Sequence, residues 1–197
     1  MNTIINIGRQ YGSGGHRIAE VLGSRLGIPV YDSELLTKAA EESGFSKDIF
    51  LKKDEKKGFL SNLVDVSRFG SPKNYMSGSE VFKMQSDVIR KIASEGSAIF
   101  VGRASDYVLR DMECLNVFIC APVEDRVKNV QAREQHPDVR AFVEKKDKER
   151  EAFYNFFTFS EWGVASNYDL CVDSSILGIE GTADFIIEFG KAAGLIR

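Results

Sequence analysis

The sequence predicts an α/β fold: a three-layer sandwich in which helices cover both faces of a five-stranded parallel sheet and a helical lid closes over one rim. Three observations carry this. Apolar runs of four to six residues alternate along the chain with longer amphipathic stretches. The first run empties into a turn holding four glycines within eight residues, Gly8, Gly12, Gly14 and Gly15, and then into a helix. The length of 197 residues, 43% of them hydrophobic, suits one domain with a substantial core, residues 1–197.

In chain order, residues 3–7 read as a strand and residues 15–26 as a helix with Ile18, Val21, Leu22 and Leu26 on one face. Gly27 stops that helix, residues 28–31 form a second short strand, and Asp32-Ser33 caps a helix over 34–42. The pattern then breaks. Residues 43–79 carry a charge run at 52–57 and two loop signals, so about 33–79 is expected to be a mobile segment of the acceptor side. Regularity resumes with a helix over 81–95, a strand over 97–101 reaching Gly102-Arg103, and a strand over 115–120 closed by Ala121-Pro122. Helices over 123–134 and 137–159 follow, then a last strand over 168–172 and a last helix over 178–193. A lid is expected over about 134–163. Right-handed crossovers make the sheet parallel, with the first strand central. No internal repeat or low-complexity segment is visible.

Charge and composition exclude several classes. A net charge of -3 gives no general basic face, which argues against nucleic acid and anionic membranes as partners. No run approaches the roughly 18 apolar residues of a membrane span, and the chain enters a strand at once, leaving no room for a signal peptide. Cys114, Cys120 and Cys171 lack metal-ligand spacing, so no protein metal site is expected, and their odd count suits a reducing cytoplasm. The sequence gives no signal for oligomeric state.

The Gly-rich turn has the form of a phosphate cradle. Glycines let backbone N–H groups approach an anion, and the following helix adds its dipole. Its spacing nearly makes a P-loop. With Gly14 on the last glycine of G-x-x-x-x-G-K-[ST], the first glycine falls on Arg9, the lysine on Gly15 and the Ser/Thr on His16. The cradle survives while its two reactive side chains are gone.

In a parallel sheet, ligands bind beyond the carboxyl ends of the strands. That rim collects residues 9–15, Asp32-Ser33, Gly102-Arg103, Ala121-Pro122 and 173–175. Asp32-Ser33 reads as a helix cap or as a ligand contact, and Arg103 as a bidentate phosphate clamp or as the partner of a carboxylate such as Asp106. Arg126 and Arg133 share one helix face; Lys146 and Arg150 share another, with Asp147 three before Arg150. A lid in phosphoryl transfer needs such cations. The aromatic stripe from Phe153 to Phe159, followed by Trp162, reads as core before base-stacking platform.

With these motifs in hand, the chain resembles the cytidylate kinase-like family, relatives of the P-loop nucleoside monophosphate kinases. The match runs nearly the whole length: GRQYGSGG at 8–15, LGIPVYD at 26–32, VGRASDYVL at 101–109, APVEDR at 121–126, DKEREAFY at 147–154 and WGVASNYDLCVDS at 162–174. The resemblance implies a P-loop NTPase-like fold and ATP-dependent phosphoryl transfer to a small acceptor, a nucleoside monophosphate such as CMP before others. It implies that Gly12, Ser13, Gly14, Gly15 and His16 hold the donor phosphates, that Asp32, Ser33, Arg103 and Asp106 border the acceptor, and that Lys146, Asp147 and Arg150 act from the lid. ATP and Mg2+ would be the cofactors, with magnesium held by phosphates, water and Ser13 or Asp106. Ala104 stands where the family's Gly-Arg-Asp motif has its aspartate. Arg9, His16 or Arg17 would replace the missing lysine, with Arg9 favoured over Arg17. Two other readings stay open: a non-catalytic nucleotide-binding module, and a kinase for a non-nucleotide small molecule.

Overall fold

The structure is a computed structural model and describes residues 2–42 and 78–196. Five strands form one parallel sheet in the order β2-β3-β1-β4-β5: β1 (Ile4–Arg9), β2 (Val30–Tyr31), β3 (Ala98–Val101), β4 (Leu115–Cys120) and β5 (Leu170–Asp173). The predicted sheet and its central first strand are both present. Ile5 lies opposite Ile99 on one side and Leu115 on the other, so β1 is paired along both edges. Continuous apolar runs such as Ala98–Val101, buried at every position, are what a strand covered on both faces requires.

Two helical layers cover the faces. On one side α1 (Gly15–Leu26) and α7 (Ser174–Ala192) pack Ile18, Leu22, Ile186 and Ile187 onto Ile5, Ile7 and Val117. On the other, α2 (Ser33–Glu42), α3 (Gly78–Glu95) and α4 (Ser105–Val108) surround Ile4 and Phe100 with Leu36, Val88, Ile89 and Val108. The helix pair α5 (Val123–Gln131) and α6 (Val139–Thr158) lies on the rim, with its own small cluster of Val130, Val139 and Val143.

The differences from the predicted elements have local causes. α6 starts at Val139 because the Asp138 carboxylate accepts a hydrogen bond from the Ala141 N–H. α7 starts four residues before the expected position, capped by Asp173, and Gly178, where the sequence placed the start, is a non-helical kink at φ 67°. The short helix α4 was not foreseen. The expected mobile segment falls mostly on residues 43–77, outside the described residues, and its described ends belong to α2 and α3. Among the described residues no helix is long and apolar enough to cross a membrane.

Candidate functional site

The carboxyl ends of β1 and β3, the first turns of α2 and the inner face of α6 enclose a cavity of about 950 Å³. Two poles differ in chemistry. At one stand Arg9, Arg103 and Arg150; at the other, Asp106, Tyr154 and Tyr168.

The arginine pole is built by three elements. β1 runs two residues further than its apolar pattern, so Arg9 closes the strand and does not lie in the turn. Its guanidinium lies across Gly102, where any Cβ would land on Arg9 Nη1. Gly102, Arg103 and Ala104 have φ of 75°, 59° and 52°, three consecutive left-handed residues. For the two residues with side chains this conformation costs about 1–2 kcal/mol each, which marks the turn as held by its surroundings. It sets the Arg103 guanidinium 5.3 Å from the centroid of the Phe153 ring. From α6, Arg150 Nη1 donates to the Arg9 carbonyl oxygen at 3.0 Å and its guanidinium carbon lies 5.0 Å from the centroid of the Tyr11 ring.

Among the described residues none of these three arginines makes an ion pair. Burial lowers the pKa of all three below the ordinary arginine value. Arg9 is pushed down furthest, by burial and then by the charges of Arg150 and Arg103, with Asp32 opposing. An arginine in a protein nonetheless keeps its proton. The result is concentrated positive charge with open hydrogen-bond donors.

At the opposite pole the Tyr154 hydroxyl donates to Asp106 Oδ2 at 2.7 Å, with Tyr168 beside it. Burial raises the Asp106 carboxyl above its usual range. Burial, and then the neighbouring Asp106, push both phenols upward, so they remain protonated donors. The alternative that Arg103 pairs with Asp106 is not realised; Asp106 binds Tyr154 and Arg103 stacks on Phe153.

The Gly-rich turn is compact. Gly12 and Gly14 have φ of 83° and 81°. A Cβ on Gly12 would stand 2.7 Å from the Arg126 carbonyl oxygen, and one on Gly14 2.5 Å from Ile179 Cδ1. Gly12 is therefore required by conformation and by the Arg126 backbone, and Gly14 by conformation. Ser13 is buried, its hydroxyl donating to the Gln10 carbonyl at 2.9 Å and its own carbonyl accepting from Ser174 Oγ at 2.6 Å. Backbone hydrogen bonding within α1 begins with Ile18 N–H to Gly14 O, which leaves the first-turn N–H groups of Gly15, His16 and Arg17 for an anion.

Several residues singled out in the sequence sit elsewhere than expected. The Arg17 side chain is exposed on α1 and does not line the cavity, so it is a poor substitute for the missing lysine. His16 is exposed too, 3.4 Å from Glu20 and 4.0 Å from Asp32, and offers its backbone N–H only. Asp147 has both oxygens engaged: Oδ1 accepts from Tyr11 N–H at 2.7 Å and Oδ2 from Arg126, so it anchors α6 and does not face the cavity. Lys146 lines the cavity with its ammonium on Glu149 at 2.6 Å. Asp32 does cap α2, through Oδ1 to the Glu34 and Leu35 N–H groups at 3.0 Å, while its charge acts on Arg9 and Arg103; Ser33 lines the cavity beside it. Tyr11, Tyr154 and Tyr168 all lie inside the family motifs quoted above, with no role assigned to them there.

For magnesium, the protein donors do not fit. The Ser13 hydroxyl is held by Gln10 O, Asp106 by Tyr154 and Asp147 by Tyr11 and Arg126, and the described residues contain no metal-binding cluster.

Comparison with known proteins bears on the family and the fold. The model of the cytidylate kinase-like family matches residues 4–176. A cytidylate kinase of Aeropyrum pernix is 26% identical over 187 residues, covering 93% of this chain and 96% of that protein. A crystal structure of an uncharacterized protein from Eubacterium ventriosum superimposes with a TM-score of 0.74 at 28% identity, covering 98% of this chain and 99% of the other. Shikimate kinase from Bacteroides thetaiotaomicron shares the fold, with a TM-score of 0.56 at 11% identity over 97% of this chain and 99% of its own.

Proposed function

We propose, from the premise that the chain belongs to the cytidylate kinase-like family, that it transfers the γ-phosphoryl group of ATP to a small acceptor that already carries a phosphate, CMP before other nucleoside monophosphates. The observation that carries this is the arginine triad of the cavity, which forms no ion pair among the described residues. Three half-buried guanidiniums that line the cavity with no ion pair among the described residues suit an anion of more than one charge, and phosphate geometry matches their forked donors.

The chemistry follows from that ligand. An oxygen of the acceptor phosphate attacks the γ-phosphorus in line, the new P–O bond forms as the bridge to the β-phosphate breaks, and ADP leaves. The attacking oxygen is already anionic at neutral pH, so no side chain need act as base. That agrees with Asp106 being tied to Tyr154. A neutral alcohol would need such a base, which disfavours the non-nucleotide acceptor. The donor's β- and γ-phosphates would lie on the N–H groups of Gly15, His16 and Arg17, and its base against Ile176 and Leu177, 77% and 45% exposed at the kinked start of α7. Arg9 would lie between the two ligands. Its Cβ packs against Gly15 in the cradle and its guanidinium reaches Arg103 on the acceptor side, the position from which a cation neutralises charge on the migrating group.

A product assay with ATP, magnesium and a panel of CMP, dCMP, UMP and shikimate-like alcohols tests the proposal. Formation of a nucleoside diphosphate is the expected outcome. ATP binding without turnover on any acceptor would replace it by the non-catalytic module, which the lack of a lysine in the turn otherwise favours.

A further inference from the structure

The turn between β1 and α1 carries one large side chain, Tyr11, and the contacts around it exceed what closing a loop needs. Its hydroxyl lies 2.9 and 3.1 Å from the two carboxylate oxygens of Glu134. Glu134 is itself held by Arg133 at 3.1 Å and by His136 at 3.0 Å. The Tyr11 ring packs edge-on to Phe142 of α6, with 5.5 Å between centroids. Its N–H donates to Asp147 and its carbonyl accepts from Arg126 at 3.2 Å. The ring is therefore fixed from both ends, and the Arg150 guanidinium lies 5.0 Å from its centroid.

We propose that Tyr11 is a positioning residue, the seat that holds the lid arginine Arg150 beside the phosphate turn and so supplies from α6 a cation that the turn itself has lost. This rests on the phosphoryl-transfer reading above. The energetics favour it: a guanidinium over an aromatic face gains attraction without a direct ion pair, and Asp147, whose charge also acts on Arg150, has its oxygens engaged by Tyr11 N–H and Arg126. The geometry also fixes direction, because Arg150 has one further anchor, the Arg9 carbonyl oxygen, and the two together leave it facing the cavity. Burial and the Glu134 contact raise the Tyr11 pKa, which keeps the hydroxyl a donor.

The test is a double-mutant cycle on the full chain, with Tyr11→Leu, Arg150→Ala and the pair, read as kcat for ATP and CMP and separately as ATP affinity by calorimetry. Tyr11→Leu is expected to lower kcat by about tenfold, with the KM for CMP within about twofold. In the Arg150→Ala background it should cost less than about twofold more, because both changes remove one cation. Tyr11→Phe, which keeps the ring and loses the Glu134 contact, should recover most of the loss. Tyr11→Met substitutes for Tyr11→Leu if the latter fails to fold. Additive losses in the cycle, or a Tyr11→Phe variant as impaired as Tyr11→Leu, would overturn the assignment. If the wild type forms no product at all, the proposed function fails, and the cycle in ATP affinity then decides Tyr11 alone: coupling of the two sites supports the seat and additivity rejects it.

Discussion

The phosphate turn and the arginine pole meet at Arg9, the last residue of β1, and their side chains are arranged in opposite ways. In the turn, every side chain is directed at protein: Ser13 at Gln10, Tyr11 at Glu134, and the Gly12 and Gly14 Cβ positions at Arg126 and Ile179. Only backbone N–H groups remain for a ligand. At the arginine pole the backbone is contorted through three left-handed residues, and the guanidiniums form no ion pair among the described residues, although the charge of Asp32 acts on Arg9 and Arg103 and that of Asp147 on Arg150. The comparison teaches that losing the lysine and threonine of a P-loop removes charge from the turn without removing it from the site. The cations come from a strand end, from the loop after β3 and from α6.

The largest effect should come from the pin between these regions. Arg126 and Asp147 form a buried ion pair, and Asp147→Ala would leave Arg126 uncompensated; we expect a loss of about 3–5 kcal/mol of stability by chemical denaturation. A loss under about 1 kcal/mol would show that α6 is held to the turn by other means. Next, Arg9→Ala should lower kcat by about a hundredfold or more, on the order of 3 kcal/mol, with ATP affinity nearly unchanged. Gly102→Ala should reproduce much of that effect, since its methyl would occupy the space of Arg9 Nη1. Wild-type kinetics in both variants would return the search for the cation to the turn itself.

Smaller effects separate the two ligands. Arg103→Ala should weaken CMP by about 1.5–3 kcal/mol, the worth of a charge-assisted hydrogen bond, and leave ATP nearly untouched. Titration against the fluorescence of Trp162, which lines the cavity, reads both affinities. Equal losses for both ligands would make Arg103 structural. The smallest is His16→Ala: an exposed imidazole beside Glu20 should change stability by less than about 0.5 kcal/mol and kcat by less than about twofold. A tenfold loss of activity would restore a side-chain role to position 16.

Much of the fold was legible because short apolar runs and Gly-terminated helices are local signals. The sheet, its central strand, the cradle turn and the helix that carries Arg150 all follow from residues within a few positions of one another. Side-chain direction was not legible. Arg9 was read as part of the turn because the apolar pattern stops at Ile7, whereas pairing with β4 carries the strand two residues on, with Arg9 opposite Ile119. Asp147 reads from its neighbours Lys146 and Arg150 as one of the lid residues, and its contacts with Tyr11, 136 residues away, and with Arg126 show where it faces. The tie of Asp106 to Tyr154 spans 48 residues and left no local pattern.

The central claim is that the arginine pole exists for an acceptor that is already phosphorylated. Binding of CMP and of cytidine to the same protein, titrated against Trp162 fluorescence at constant ionic strength, tests it most directly. CMP should bind at least about a hundredfold more tightly than cytidine, with the difference shrinking to about tenfold or less in Arg103→Ala. Equal affinities for CMP and cytidine in the wild type would contradict it.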